Sequence, residues 1–318
     1  MGCILMNVIM VLILPLLALI TGLFFLGISR KITARIHWRY GPPVIQPFID
    51  VIRSFSQMSI SHGKMFDFGI ILSLTGSFIL ILFLPIGELC FLTSGGLIAF
   101  IYLILLDPLG IALSSGAAAN PNSSIGISRK FLLSLAYEVP LLLVLLTVMT
   151  HYDTISLVDI VKIQASMGWS LSSWALVLPG IAYFLILPAI LGIRPFEVVN
   201  ASQEISSGPI AEFGGKHLAF YTLQHALHLF VGLALFVDIF LGGGTLFGLL
   251  NPIAGTVWAT ILGIVIFLLK MLVVLILGLF IHAVFPRFRI EQAMQYLWKW
   301  PTLVALIGLV IVVLINKQ

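Results

Sequence analysis

The sequence predicts an all-α integral membrane protein of about eight transmembrane helices, with the N- and C-termini outside and an amphipathic surface helix in the first loop. Three observations predict it. Hydrophobic residues make up 60% of the 318 positions and charged residues 9%, at a mean hydropathy of +1.18, which excludes an ordinary soluble domain. Apolar runs of membrane-crossing length recur along the chain, a hydrocarbon core of about 30 Å needing roughly 20 helical residues. Lysine and arginine collect in alternate polar breaks.

Each span follows from an apolar run between polar breaks: 4–28, 69–87, 96–115, 131–150, 174–193, 218–241, 253–284 and 301–315. Helices satisfy their own backbone hydrogen bonds in lipid, so they are the expected form. The first run has no basic stretch before it and no small-residue cleavage site after it, and reads as a retained helix. The seventh is long enough to tilt or to extend past the bilayer. Thirteen of the 16 lysines and arginines lie in the breaks at 29–68, 116–130, 194–217 and 285–300 or at their edges, which makes these the cytoplasmic loops of a single membrane domain spanning 1–318. The net charge of +4 is then a topology signal and does not call for nucleic acid.

Cys3 and Cys90 lack any CxxC or Cys/His spacing and read as packing residues. No phosphate loop, HExxH or GxSxG occurs, so a redox centre is expected on another chain, with no metal or catalytic residue on this one. Loop 1, "RKITARIHWRYGPPVIQPFIDVIRSFSQ", has an extended turn at Gly41-Pro42-Pro43 and then an amphipathic pattern with Phe48, Val51, Ile52 and Phe55 on one side. That segment is expected to lie on the membrane surface. Loop 7, "FPRFRIEQAMQYLWKW", mixes Arg287, Arg289 and Lys299 with aromatics, as basic anchoring and an interfacial aromatic belt would.

Asp107, Glu138, Asp238 and Lys270 fall inside spans, where each costs about 2.5–3.5 kcal/mol on insertion scales, so they are ion-path candidates. A satisfied structural pair, such as Asp238 with Lys270, is the bland alternative. His217, Tyr221, His225 and His228 step by four, four and three along span 6 and predict one polar face able to relay protons or to make interhelical hydrogen bonds. In loop 5, Glu204 and Glu212 are separated by the Gly208-Pro209 break and predict a reentrant wall with Arg194 and Arg39 as counter-charges.

The ordered motifs "RYGPP" with "QPFIDVIRSF", "SRKFLLSLAYEV", "RPFEVVNASQEISSGPIAEFGG", "FLGGG" and "FPRFRIEQAMQYLWK" resemble the H-type membrane-anchor family of respiratory complex I over nearly the whole chain. The resemblance implies a bent bundle of eight helices that joins a membrane arm to a peripheral redox arm and begins a hydrophilic axis for ion movement. It places Glu138 in the family's "YE" motif. It also implies coupling roles for Glu197, Glu204 and Glu212, and a peripheral-arm interface at Arg35, Arg39, Arg194, Arg287 and Arg289. The loop 1 segment between its GP and QP is short, Asn200 and Ser202 stand where quinone-reducing members carry glutamates, and His225 replaces a glutamate of span 6. These departures resemble the membrane-bound hydrogenase and sulfane reductase branch.

On that reading the chain is a non-catalytic membrane subunit in a prokaryotic cell membrane. It binds no cofactor itself; its partners are hydrogenase-like large and small subunits with Fe-S clusters and, where the partner is a hydrogenase, NiFe, together with antiporter-like membrane subunits. Other classes remain: a quinone-binding subunit, a scaffold with no ion path, and a stand-alone transporter, the last disfavoured by the lack of an inverted repeat.

Overall fold

The computed structural model describes residues 2–87, 89–91, 96–245 and 257–316, with side chains from residue 11 onward except at 257. The start of the seventh predicted run, at 253–256, and the side chain of Cys3 lie outside the described set; Cys90 is a free thiol.

Twelve α-helices are described: α1 (Gly2–Ile36), α2 (Gln46–Ser56), α3 (Lys64–Leu82), α4 (Gly96–Ile104), α5 (Leu106–Gly116), α6 (Pro121–Tyr152), α7 (Leu157–Met167), α8 (Trp174–Ile190), α9 (Ser202–Ile205), α10 (Lys216–Phe240), α11 (Val257–Val284) and α12 (Ile290–Asn316). Taking α4 and α5 as one span, seven are long and apolar enough to cross a membrane, and the 17-residue α8 is a shorter apolar helix. The protein is a multi-pass membrane protein.

Helix α10 is the axis of the bundle. Its residues from Ala226 to Phe240 are buried throughout, and α1, α2, α3, α7, α8 and α11 pack around it. Its hydrophobicity all round is what a helix enclosed by other helices requires. Around this axis α6, α8 and α12 form a second packed group.

Several boundaries differ from the hydropathy reading, each for a local reason. The predicted loop 116–130 is mostly helix: α6 starts at Pro121, with the Asn120 side chain accepting from the Asn122 amide at 3.0 Å and proline at the first helical position. The predicted loop 285–300 likewise shrinks, because α12 starts at Ile290 and runs through Pro301. Helix α3 begins at Lys64 and stops at Leu82, ahead of the predicted 69–87 register, and α1 continues to Ile36. Span 3 is broken at Leu105. Pro108 has no N–H to give the Ile104 carbonyl, so α4 ends there and α5 begins with Asp107 in its first turn. Helix α7, between spans 4 and 5, has no counterpart in the hydropathy reading; Ser156 caps it through the Asp159 amide at 3.4 Å.

Loop 1 contains the expected surface helix, α2, with a different apolar face. Val51 is buried, Phe48 packs on the core and the Phe55 ring meets Phe220 edge-on at 5.4 Å. Ile52 is 71% exposed and shares the outer stripe with Ile45 and Ile49. The helix therefore has two apolar sides, one against the bundle and one suited to lipid.

Helices α3 and α5 approach each other closely through small residues. A Cβ on Gly69 would come within 2.3 Å of the Ser114 amide, and one on Gly110 within 2.5 Å of the Ser73 amide, so each glycine seats the other helix. This small-xxx-small packing carries Ser73 up to Asp107 and lets Ser114 donate to the Phe66 carbonyl at 2.7 Å. Gly110→Val is expected to destabilise the chain by about 1–3 kcal/mol through overpacking. Gly116→Ala, whose nearest neighbour would be the Ile127 side chain at 3.7 Å, is expected to stay close to wild type in the same detergent thermal-unfolding measurement.

Candidate functional site

Four helices converge on one carboxylate. Asp107, 3% exposed in the first turn of α5, accepts from Ser73 Oγ of α3 at 2.8 Å, from Lys130 Nζ of α6 at 3.0 Å and from Gln224 Nε2 of α10. The position suits the charge, since the N-terminal turn of a helix carries positive backbone potential. His228 of α10 stands beside it, with Nδ1 3.7 Å from Asp107 Oδ2. Its Nε2 lies 3.0 Å from the Ile190 carbonyl, which can only accept, so Nε2 carries a hydrogen, and Nδ1, on the carboxylate side, is the nitrogen that gains or loses a proton. The cluster thus holds a cation, an anion and a titratable imidazole side by side.

An inner cavity of about 70 Å³ adjoins this cluster, lined by Asp107, Lys130, Tyr137, Tyr221, His225 and Glu197 among others. A buried water needs about 10–15 Å³ of such space, so a short water chain fits. A wider cavity of about 560 Å³ lies between the end of α1, loop 1 and loop 5, and includes Arg30, His37, Arg39, Arg194 and His282 in its walls. Gly192, Glu197 and His225 line both. They form the partition between a buried charge centre and a basic vestibule.

Loop 5 is folded into that partition. Glu197 receives Arg194 Nε at 3.2 Å and Arg287 at 3.1 Å, which ties loop 5 to the loop before α12. Asn200 donates to the Tyr221 hydroxyl at 3.1 Å. The Gly208-Pro209 break separates the single turn α9 from a 3₁₀ turn at Gly208–Glu212. Glu204 takes Arg129 at 2.7 Å; Glu212 takes Asn120 at 2.6 Å and stands 3.3 Å from His62. The counter-charges expected from sequence are therefore corrected: Arg129 serves Glu204, Asn120 donates to Glu212, Arg194 serves Glu197, and Arg39 lines the vestibule. Loop 5 is clamped to the start of α6, a segment that hydropathy alone assigns to a loop.

The polar face of α10 gains Gln224, which the sequence reading does not count. His217 meets Asp67 Oδ1 at 2.7 Å, Tyr221 meets Asn200, and Gln224 and His228 meet Asp107, so the inward stripe is 217, 221, 224 and 228. His225 lines the same inner cavity at the partition, its ring parallel to Tyr221 at 6.4 Å. Asp67, Ser73, Lys130 and Gln224 are site residues that sequence reasoning misses. Gln224 keeps helical register with 217, 221 and 228, and the Asn120-Pro121 pair marks the helix that carries Lys130, so both signals were present.

The remaining candidates stand apart from Asp107. Glu138, half-buried on α6, has Oε1 buried and without a partner among the described residues, with exposed Leu135, Val139 and Leu142 around it. Asp238 and Lys270 do not pair: Lys270 Nζ is held by the Leu241, Gly243 and Thr245 carbonyls at 2.6, 2.8 and 2.6 Å. Arg35 lies over the Tyr40 ring at 5.1 Å, and Arg289 is exposed.

A membrane-embedded bundle with a buried charge centre behind a clamped loop defines a class, that of multi-pass membrane proteins with a polar interior. The particular family follows from comparison. The sequence profile of the NADH dehydrogenase family matches residues 7–313, and the chain belongs to that family, in its H-type branch. It is 27% identical over 310 residues to the H subunit of F420H2 dehydrogenase from Methanosarcina mazei, covering 88% of this chain and 86% of that protein. A chain in the structure of the membrane-bound sulfane sulfur reductase, an archaeal respiratory membrane complex, is similar at a TM-score of 0.90 and 39% identity, over 96% of this chain and 99% of that one.

Removing Lys130 leaves the Asp107 carboxylate buried without its cation, and Lys130→Met is expected to cost about 3–5 kcal/mol. The double variant Lys130→Met with Asp107→Asn removes both charges and should recover most of that loss. Unfolding of the purified chain in detergent measures both.

Proposed function

We propose that the chain is the membrane subunit of an ion-translocating respiratory redox complex of the membrane-bound hydrogenase or sulfane reductase type. In this role it anchors a peripheral electron-transfer arm and forms the proximal part of an H+ or Na+ path. The observation that carries the reading is the Asp107 centre, in which one carboxylate is shared by Lys130, Ser73 and Gln224 beside the open Nδ1 of His228. The similarity to subunits of two redox complexes supports the same assignment.

The arrangement suggests an order of events. A charge change at the peripheral arm acts first on the partition, where Arg194 and Arg287 hold Glu197. Displacement of that carboxylate alters the field at the inner cavity and the balance between Lys130 and His228 at Asp107. Glu138 lies on the same helix as Lys130 and faces the outer side of the bundle, where a second membrane subunit would receive the ion. Exposed Arg35, Arg39 and Arg289, with Trp38 at 98% and Tyr40 at 85% exposure, form the surface for the peripheral arm. Fe-S clusters, and NiFe where present, belong to the large and small subunits that dock there; antiporter-like subunits continue the path in the membrane.

Asn200 favours this branch over a quinone-binding subunit. It places a neutral amide on the inner cavity, at a position where the family resemblance implies a carboxylate in quinone-reducing members. In reconstituted complex, Glu138→Gln, Glu212→Gln and the charge-neutral double variant Asp107→Asn with Lys130→Met are expected to leave the subunits assembled and electron transfer running while ion transport per electron falls. Failure of the same variants at assembly would favour the scaffold reading, and wild-type transport in all three would refute the path.

A further inference from the structure

At the other end of α10 a second polar cluster is built around a glycine turn. The helix ends at Phe240, and Gly242 and Gly243 follow with φ of 71° and 55°, a left-handed conformation that glycine adopts freely. The turn aims the Leu241, Gly243 and Thr245 carbonyls at Lys270 Nζ, so all three ammonium donors are spent on neutral oxygens. The Trp169 ring lies 4.9 Å from the same nitrogen. Lys270 is thereby held off the nearest carboxylate.

That carboxylate is Asp238. It is fully buried, and neither oxygen meets a donor among the described residues. Its Oδ1 lies 3.0 Å from where a Cβ on Gly243 would sit, which places it against the turn. Gln164 of α7, 1% exposed, donates its amide hydrogens to the Asp238 and Ile239 carbonyls at 3.0 and 2.9 Å. The Gln164 Oε1 has no partner among the described residues and faces the same turn, 3.4 Å from a Cβ position on Gly242.

Buried acceptors without donors are costly, and a lone buried carboxylate persists only when neutralised, by a proton or by a bound cation. Carboxylate, amide and backbone oxygens are the ligands of hard cations. A single carboxylate balances one positive charge, and the Lys270 ammonium nearby opposes a second. We propose that Asp238 and Gln164 form a binding site for a dehydrated monovalent alkali cation, seated against the Gly242–Gly243 turn and bounded by Lys270. The other charged groups of α7, Asp159 and Lys162, are exposed and lie 3.6 Å from each other, and the Tyr183 hydroxyl of α8 is spent on the Gly232 carbonyl at 3.0 Å. The site lies about 15 Å along α10 from His228 at about 1.5 Å per residue, and it does not rest on the path through Asp107.

The test is thermal unfolding of the purified full chain in detergent, titrated with NaCl, KCl or choline chloride at matched ionic strength. Wild type is expected to gain stability saturably in Na+ or K+ over choline, and the more effective salt identifies the ion. Asp238→Asn should abolish the cation-specific gain. Lys270→Gln removes the opposing charge and should lower the half-saturating salt concentration several-fold, an effect that a purely structural lysine would not produce. Equal stability of wild type in all three salts, or a cation-specific gain that survives in Asp238→Asn, would overturn the site. Because no redox partner is present, either result leaves the ion path at Asp107 to be judged separately.

Discussion

The buried ion pair between Asp107 and Lys130 is the interaction around which the rest of the bundle is arranged. Two charges in a hydrocarbon-spanning domain are costly unless their remaining hydrogen-bonding capacity is filled. Ser73 and Gln224 fill it from two further helices, so α3, α5, α6 and α10 are fixed relative to one another by a single carboxylate. The Pro108 break sets Asp107 in a helical first turn, and the glycine interlock of α3 and α5 brings Ser73 within reach. The early start of α6 supplies the lysine. Each of these local features would be a defect in an ordinary span, and together they build the charge centre.

The centre is also what connects the interior to the loops. Arg129, Lys130 and the capping Asn120 belong to one stretch at the start of α6, and two of them hold Glu204 and Glu212. A movement of loop 5 is therefore mechanically tied to the helix that carries the Asp107 counter-charge. Glu197 and His225 stand where the inner cavity meets the basic vestibule. The opposite end of α10, at Asp238, has a different chemistry, in which the lysine is engaged by carbonyls and the carboxylate is left to itself.

Much of the fold was legible in the sequence because burial in lipid leaves a simple trace. Long apolar runs located the spans, and the ordered loop motifs located the family. What hydropathy could not supply was the polar part of each helix. Residues 121–130 and 290–300 read as loops because they are polar, although Asn120-Pro121 carried the chemistry of a helix start. Lys130 was absorbed into the topology signal for the same reason. Ser73 and Gln224 carry no charge and drew no attention, yet they complete the site. The Asp238 and Lys270 pair, weighed from sequence as the bland alternative to an ion path, does not form, because a glycine turn offers three carbonyls to the ammonium, and no spacing rule reports that.

The central claim is that Asp107 changes its bonding or charge state when the redox complex turns over. Redox-induced infrared difference spectroscopy of the reconstituted complex tests it most directly. The account predicts a carboxyl or carboxylate band that shifts with reduction and disappears in Asp107→Asn. A difference spectrum unchanged by that substitution, in a complex that still couples ion transport to electron transfer, would contradict it.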